Sequence, residues 1–409
     1  MPTELASTHW YDRAERRATT RDQAVRQQRA EQVRRRVSKL RDRDQTRAIE
    51  ARRRRFELQD MAAKLLPDDR VAHCHRSAAG AVVSVTCCCG HSSYRNVQTC
   101  ASVWTCPVCS AKISATRRDE LNTLLRWARP LELVPVLLTL TGHHNNRTSL
   151  TAALQVMKAA KKSMHQSRAW TDSVGPLVEG HVTATEVNKS RRHGWHVHYH
   201  IVVLVDANNE AAAMAALEPL REAWLRALER QGSWGGEHAF DLRGAAEAGS
   251  YVGKWGAAEE LALTGAKQAR GDADIKGMTP WELLAAAADG DELAGLSFIE
   301  YAEAFHGRRQ LVWSRGLKAR AGLWDLTDQD VADGEQPEDD EVEDTCEVVV
   351  FPKRVWRRVV WARLRVQVLE AASAGGYEAV VDLLRRHHIS GAMPGGWRPG
   401  VNPEFAMAA

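Results

Sequence analysis

Residues His196-Val197-His198-Tyr199-His200 alternate three imidazoles with other side chains and run into Ile201-Val202-Val203-Leu204. Side chains of a strand alternate between its faces, so a strand here puts all three imidazoles on one face. Neutral imidazole is a ligand for many transition metals, and mixed nitrogen and oxygen shells accept Mn2+ or Mg2+. His196, His198 and His200 are therefore candidate ligands of one divalent cation. Glu186, on the preceding strand, is placed to add an oxygen ligand across a hairpin. Such a cation neutralises charge on the non-bridging oxygens of a phosphodiester and orients it.

A second element follows about fifty residues later, Glu247-x-x-x-Tyr251-x-x-Lys254. The spacing i, i+4, i+7 makes one stripe of a helix. A phenol oxygen can attack phosphorus and form a covalent phosphotyrosine, provided a nearby cation stabilises the phenolate. Lys254 is a candidate for that charge or for holding a phosphate. Glu247 is a candidate general base toward water or a sugar hydroxyl. By itself this stripe is what an ordinary amphipathic surface helix shows; its position after the histidine strand gives it weight.

Cys106-Pro107-Val108-Cys109 is half of a tetrahedral thiolate site. The other half has candidates in Cys74, Cys87, Cys88, Cys89, His91 and Cys100. No thioredoxin-like βαβ pattern surrounds the Cys-x-x-Cys, which argues against a redox role.

These groups need positioning. Val134–Thr141 predicts a buried strand ending at Gly142, and His181–Val187 an alternating strand. The latter and the histidine strand flank a polar stretch, so the two predict an antiparallel hairpin. Helices are predicted over Ala111–Arg129, stopped by Pro130, over Thr148–Trp170, and over residues 208–231. Thr279-Pro280-Trp281-Glu282 is a capping-box start of another helix, followed by one near Ser297–Phe305 and a strand at Gln310–Trp313.

The 409 residues allow two or three domains, and 44% hydrophobic content is ordinary for a globular chain. There is no apolar run long enough for a membrane span, and Met1-Pro2-Thr3-Glu4 lacks a secretory pattern, so a cytoplasmic protein is expected. Cysteines there stay reduced, which favours metal over disulfides. The net charge is only +4, but arginine is dense from Arg13 to Arg55 and acid from Asp325 to Asp344. A basic arm on a near-neutral body fits a polyanion partner. The arginine pairs at 117–118, 191–192, 308–309 and 357–358 are further candidate phosphate contacts. Trp195 and Trp255 flank the two motifs and are candidates for stacking on unpaired bases, although core packing is the commoner job of a tryptophan. The expected organisation is a basic helical or disordered arm (1–70), a zinc-binding module (71–130), a catalytic domain (131–322), an acidic linker (323–345) and a C-terminal segment (346–409).

Taken in order, these stretches resemble the HUH endonucleases, in which two histidines flank a hydrophobic residue and a tyrosine nucleophile follows. His198-Tyr199-His200 matches that triplet, Leu137-Leu138-Thr139-Leu140-Thr141 resembles the first motif, and Tyr251-Val252-Gly253-Lys254 the third. The chain is most similar to replication initiators of rolling-circle plasmids in Gram-positive bacteria, especially actinobacterial ones. Gly194-Trp195 before the histidines, the stretch Cys100–Ile113 and the stretch Gly307–Leu317 are also similar to that group. The resemblance covers residues 71–322.

It implies an α+β fold, with a central antiparallel sheet and flanking helices, its histidine strand facing the tyrosine helix. It implies that Tyr251 nicks one strand at an origin, single-stranded or cruciform, and stays joined to the 5′ phosphate. A host polymerase would then extend the free 3′ hydroxyl, and Glu247 would activate water to end the cycle. It favours Cys74 with Cys100 as partners of Cys106 and Cys109 around a structural Zn2+. No Walker-type Gly-x-x-x-x-Gly-Lys loop is present, so strand separation would come from a host helicase. Two features depart from the pattern: the pair His143-His144 after the first motif, and Val197 where proline is frequent. Alternatives are a relaxase or single-tyrosine HUH transposase, or a non-enzymatic zinc-containing DNA-binding regulator. Relaxases place the tyrosine before the histidines, the reverse of the order here.

Overall fold

A computed structural model describes residues 46–88, 91–253, 277–334 and 346–399. By its contacts the chain divides into Met1–Arg53 and Arg54–Ala409. Of the first unit residues 46–53 are described, and they are helical. Residues 1–45 of the expected basic arm lie outside the described residues. Everything below concerns the second unit.

Residues 54–65 are helical (α1). The strands that follow are β1 (Val82–Cys88), β2 (His91–Arg95), β3 (Leu133–Thr141), β4 (Val178–Ser190), β5 (Gly194–Asp206), β6 (Phe240–Arg243), β7 (Leu311–Trp313), β8 (Cys346–Pro352) and β9 (Met393–Pro394). Between them lie helices α2 (Pro107–Ala128), α3 (Leu150–His165), α4 (Glu210–Leu217), α5 (Pro219–Glu229), α6 (Ala245–Gly253), α7 (Pro280–Ala288) and α8 (Glu292–Phe305). Four more complete the set: α9 (Leu317–Arg320), α10 (Asp328–Asp333), α11 (Lys353–Trp361) and α12 (Arg365–Arg386). Among the described residues the strands form two antiparallel sheets, ordered β6-β3-β5-β4-β7 and β2-β1-β8-β9. The α+β class and the central antiparallel sheet match the expectation.

The larger sheet is built around the β4–β5 hairpin, in which Glu186 pairs with His198 and Ala184 with His200. Its turn closes at Gly194, whose φ of +73° and the carbonyl of Asn145, 2.4 Å from where a Cβ would stand, leave room for glycine alone. In β5, Val197, Tyr199, Ile201, Val203 and Val205 face a core shared with α3, α5 and α8, including Leu154, Trp224 and Phe298. Val202 and Leu204 face the other way, under Leu121 and Leu124 of α2 and Ala248 and Val252 of α6. The C-terminal half of β5 is thus apolar on both faces because both are covered. Its N-terminal half carries the histidines on the face under α6.

Helix limits follow local chemistry. Cys106 caps α2 with its sulfur, and Pro107 occupies the first turn, where no amide donor is missed. Pro219 divides the single helix expected over 208–231 into α4 and α5. The capping box at Thr279 and Glu282 forms as expected.

The ends of the chain behave less independently than expected. β8 pairs with β1, and Val83, Val85 and Tyr94 share a core with Phe351, Trp356, Val359 and Val368. The C-terminal segment therefore completes the sheet that β1 and β2 begin. The stretch expected as an acidic linker is helical at Asp328–Asp333, capped by Thr327, and Asp328 pairs with Arg117. Residues 335–345 lie outside the described residues.

Candidate metal centre and tyrosine site

His198 and His200 project from β5 on the face that α6 covers, with Glu186 beside them on β4. One ligand atom from each of Glu186, His198 and His200 can be chosen so that all lie within 4.8 Å of one another. Glu186 Oε2 stands 3.4 Å from His198 Nε2 and 3.6 Å from His200 Nε2. Glu186 Oε1 accepts a 2.8 Å hydrogen bond from the Tyr251 hydroxyl. The carboxylate thus joins the imidazole pair on one oxygen to the phenol on the other. The Tyr251 ring centroid lies 4.8 Å from that of His200.

Electrostatics sharpen this arrangement. Burial would raise the Glu186 carboxyl, but the His198 hydrogen bond, the nearby His200 and His198 charges and the Tyr251 hydroxyl outweigh it and hold it at about 2. Burial, with a smaller contribution from His198 and against the pull of Glu186, lowers His200 to about 4. Near neutrality the site therefore offers an anion and a neutral imidazole with a lone pair to give, the states a cation requires. Burial first, then the Glu186 charge and hydrogen bond, push the Tyr251 phenol well above its ordinary value.

His196 is set apart from the group. Its Nε2 lies 2.6 Å from Thr141 Oγ1, which donates its own proton to the Val197 carbonyl at 3.2 Å. That hydroxyl has one proton, so it accepts from His196 Nε2–H. Thr139 Oγ1 stands 3.1 Å from His200 Nδ1 in the same way. Thr139 and Thr141 were missed in the sequence. The signal was there, since both sit at period-two positions of β3 opposite His200 and His198.

Glu247 is exposed one turn before Tyr251, whose hydroxyl bonds to Glu186. Lys254 and Trp255 lie outside the described residues. Trp195 is 2% exposed, and its indole donates to Glu300 at 2.8 Å, so it packs in the core and presents no face for a base. Arg117 is buried between Glu120 and Asp328, both at 2.6 Å, and serves the fold instead of a phosphate.

The cysteine question is answered by convergence. Cys74, Cys100, Cys106 and Cys109 are all buried and form one group. Sulfur separations are 3.5 Å for Cys74–Cys109, 3.7 Å for Cys100–Cys109 and 3.7 Å for Cys74–Cys106. A tetrahedron with metal–sulfur bonds of about 2.3 Å has edges of about 3.8 Å, so these thiols fit one ion. Gln59 of α1 adds a 3.3 Å contact from its amide to Cys106 Sγ, and Arg365 of α12 holds Gln59 at 2.7 Å. Cys87, Cys88, His91 and Cys346 stand elsewhere, on the hairpin end of the smaller sheet.

An antiparallel sheet with two histidines and a carboxylate under a helix-borne tyrosine is consistent with the HUH superfamily. The comparisons with known proteins then fall on replication proteins. Residues 91–215 match a family model described as a replication protein (Rep_1). "Protein rep" of Streptomyces lividans is 25% identical over 319 residues, spanning 60% of this chain and 68% of the relative. No solved structure matches. The resemblance read from the motifs is borne out at this level.

Proposed function

We propose that this protein initiates rolling-circle replication of a plasmid, nicking and rejoining one strand of origin DNA through a covalent 5′-phosphotyrosine at Tyr251. The observation that carries the reading is the shared carboxylate, with the Tyr251 hydroxyl on Glu186 Oε1 and His198 and His200 beside Oε2. A Mn2+ or Mg2+ ion held by Glu186, His198 and His200 would neutralise the non-bridging oxygens of the scissile phosphate. The negative charge of Glu186 opposes ionisation of Tyr251, so engaging that carboxylate elsewhere favours the phenolate. The phenol gives up its proton along the hydrogen bond to Oε1. Its oxygen bonds to phosphorus, the bond to the 3′ oxygen breaks, and that oxygen takes up a proton to become the free 3′ hydroxyl. Glu247, exposed to water on the same helix, acts in the closing step by deprotonating the water that releases the 5′ phosphate. The four thiols hold a structural Zn2+. A host helicase and polymerase would act on the nicked DNA.

The test is a denaturing gel of the protein incubated with labelled single-stranded origin oligonucleotide and Mn2+ or Mg2+. A covalent protein–DNA band is expected, suppressed by chelator and absent in Tyr251→Phe. Glu247→Ala should form the band and fail to release it. Binding with no covalent band in the wild type would replace the enzyme by a DNA-binding regulator.

A further inference from the structure

His143-His144 departs from the family pattern, and the mechanism above leaves both residues unused. The indole of Trp234, 56% exposed, stacks on the His143 ring at 4.4 Å between centroids and 17° between planes. The pair is locked by a hydrogen bond from His143 N to the Trp234 carbonyl at 2.8 Å. The next residue, His144, stacks on His196 at 4.4 Å and 19°. The row of rings continues from His196 to His198 at 5.2 Å, from His198 to His200 at 4.9 Å, and from His200 to Tyr251 at 4.8 Å. Two stacked pairs, Trp234–His143 and His144–His196, thus sit at successive positions after β3, the second joined by tilted and edge-on ring contacts to the nucleophile.

The surface end lies beside basic segments. The loop after β3 touches the β4–β5 turn where Gly194 admits no side chain against Asn145. Arg147 on that loop and Arg192 on that turn are both exposed. Exposed flat rings, with exposed guanidinium groups on the same loop and the adjoining turn, offer what an unpaired base and its phosphate require, because every base has a π face and every phosphate a charge. A duplex offers no free base face there.

We propose that Trp234 and His143 form a stacking platform for an unpaired base of the DNA strand that enters the Tyr251 site, with Arg147 and Arg192 beside its phosphates. The proposal rests on single-stranded DNA being the substrate, and deepens that reading by naming where the strand runs. His144 and His196 hold the platform against the ligand strand β5, so His196 serves as a support of the strand path beside the cation.

The experiment measures binding with chelator present, so that cleavage plays no part. The probes are a labelled oligothymidylate and an abasic oligonucleotide of equal length, which carries the same phosphates without bases. Trp234→Ala should bind oligothymidylate about 5- to 100-fold more weakly and the abasic strand as the wild type does. Trp234→Phe, which keeps a flat ring, should restore most of the difference. Unchanged oligothymidylate binding by Trp234→Ala would overturn the platform, and so would an equal loss on both probes, which would mark a phosphate or folding effect. The nicking reading is judged separately by the Tyr251→Phe gel, so either idea can fail alone.

Discussion

The two ligand clusters of this protein contrast in their openness. The four thiols are sealed, with Cys74, Cys100, Cys106 and Cys109 at 0%, 3%, 0% and 1% exposure and their sulfurs at van der Waals contact. The second cluster offers three candidate ligands, with side chains of His198, His200 and Glu186 at 12%, 18% and 40% exposure, and keeps a phenol at its edge. A closed set of four ligands leaves no position for a substrate, whereas three ligands under a half-open roof leave one. On the proposed reading, the closed cluster would hold the fold and the open one would act on something that arrives.

The contrast breaks most sharply on a pair of variants. Cys106→Ser removes a ligand that also caps α2 and anchors Gln59, so the N-terminal module should unfold, with loss of bound metal and a collapse of the melting transition. Structural zinc contributes about 10–16 kcal/mol in small zinc domains, enough to decide the outcome. His198→Ala should melt near the wild type and lose the covalent band. A folded Cys106→Ser protein or an unfolded His198→Ala protein would erase the distinction.

A smaller effect is expected at Thr139. A cation bound at His200 Nε2 leaves Nδ1–H to be fixed, and Thr139 Oγ1 is the acceptor at 3.1 Å. Thr139→Val should weaken cleavage or metal affinity about 10- to 100-fold with little change in melting. Rescue of rate by excess Mn2+ would sharpen the assignment, and wild-type behaviour at low Mn2+ would remove it.

The mildest test is acid. Burial lowers His75 to about 4 and His181 to about 3, with Arg365, Lys112 and Arg76 adding to the former against Cys106, and His165 and Lys161 adding to the latter. Unfolded histidine titrates near 6.5, so below that pH the unfolded chain binds protons that the folded one refuses. Stability should be full above about pH 6.5 and fall steadily toward pH 4, read as a declining melting temperature. A flat profile over that window would mean these imidazoles are not buried as neutral groups.

How much of this was legible in the sequence differs by element. The β4–β5 hairpin and the histidine face were legible because alternation of side chains is local and has period two. The C-terminal segment was opaque, because its pairing of Cys346–Pro352 with Val82–Cys88 joins residues more than 250 positions apart, with no turn to signal it. Trp195 follows the commoner expectation of core packing over base stacking. Its place beside a motif suggested a base contact, while Glu300, from a helix about a hundred residues on, draws its indole into the core.

The amino-acid order alone determined which chemical groups are present, their spacing along one strand and one helix, and the class of reaction they suit. Only the tertiary structure decided that Glu186 faces both the imidazoles and Tyr251, that His196 turns to Thr141 beside that group, and that Cys74 and Cys100 join Cys106 and Cys109. Those outcomes depend on register across strands and on which surfaces bury each other, and such contacts between distant residues are set by the packing of the whole core.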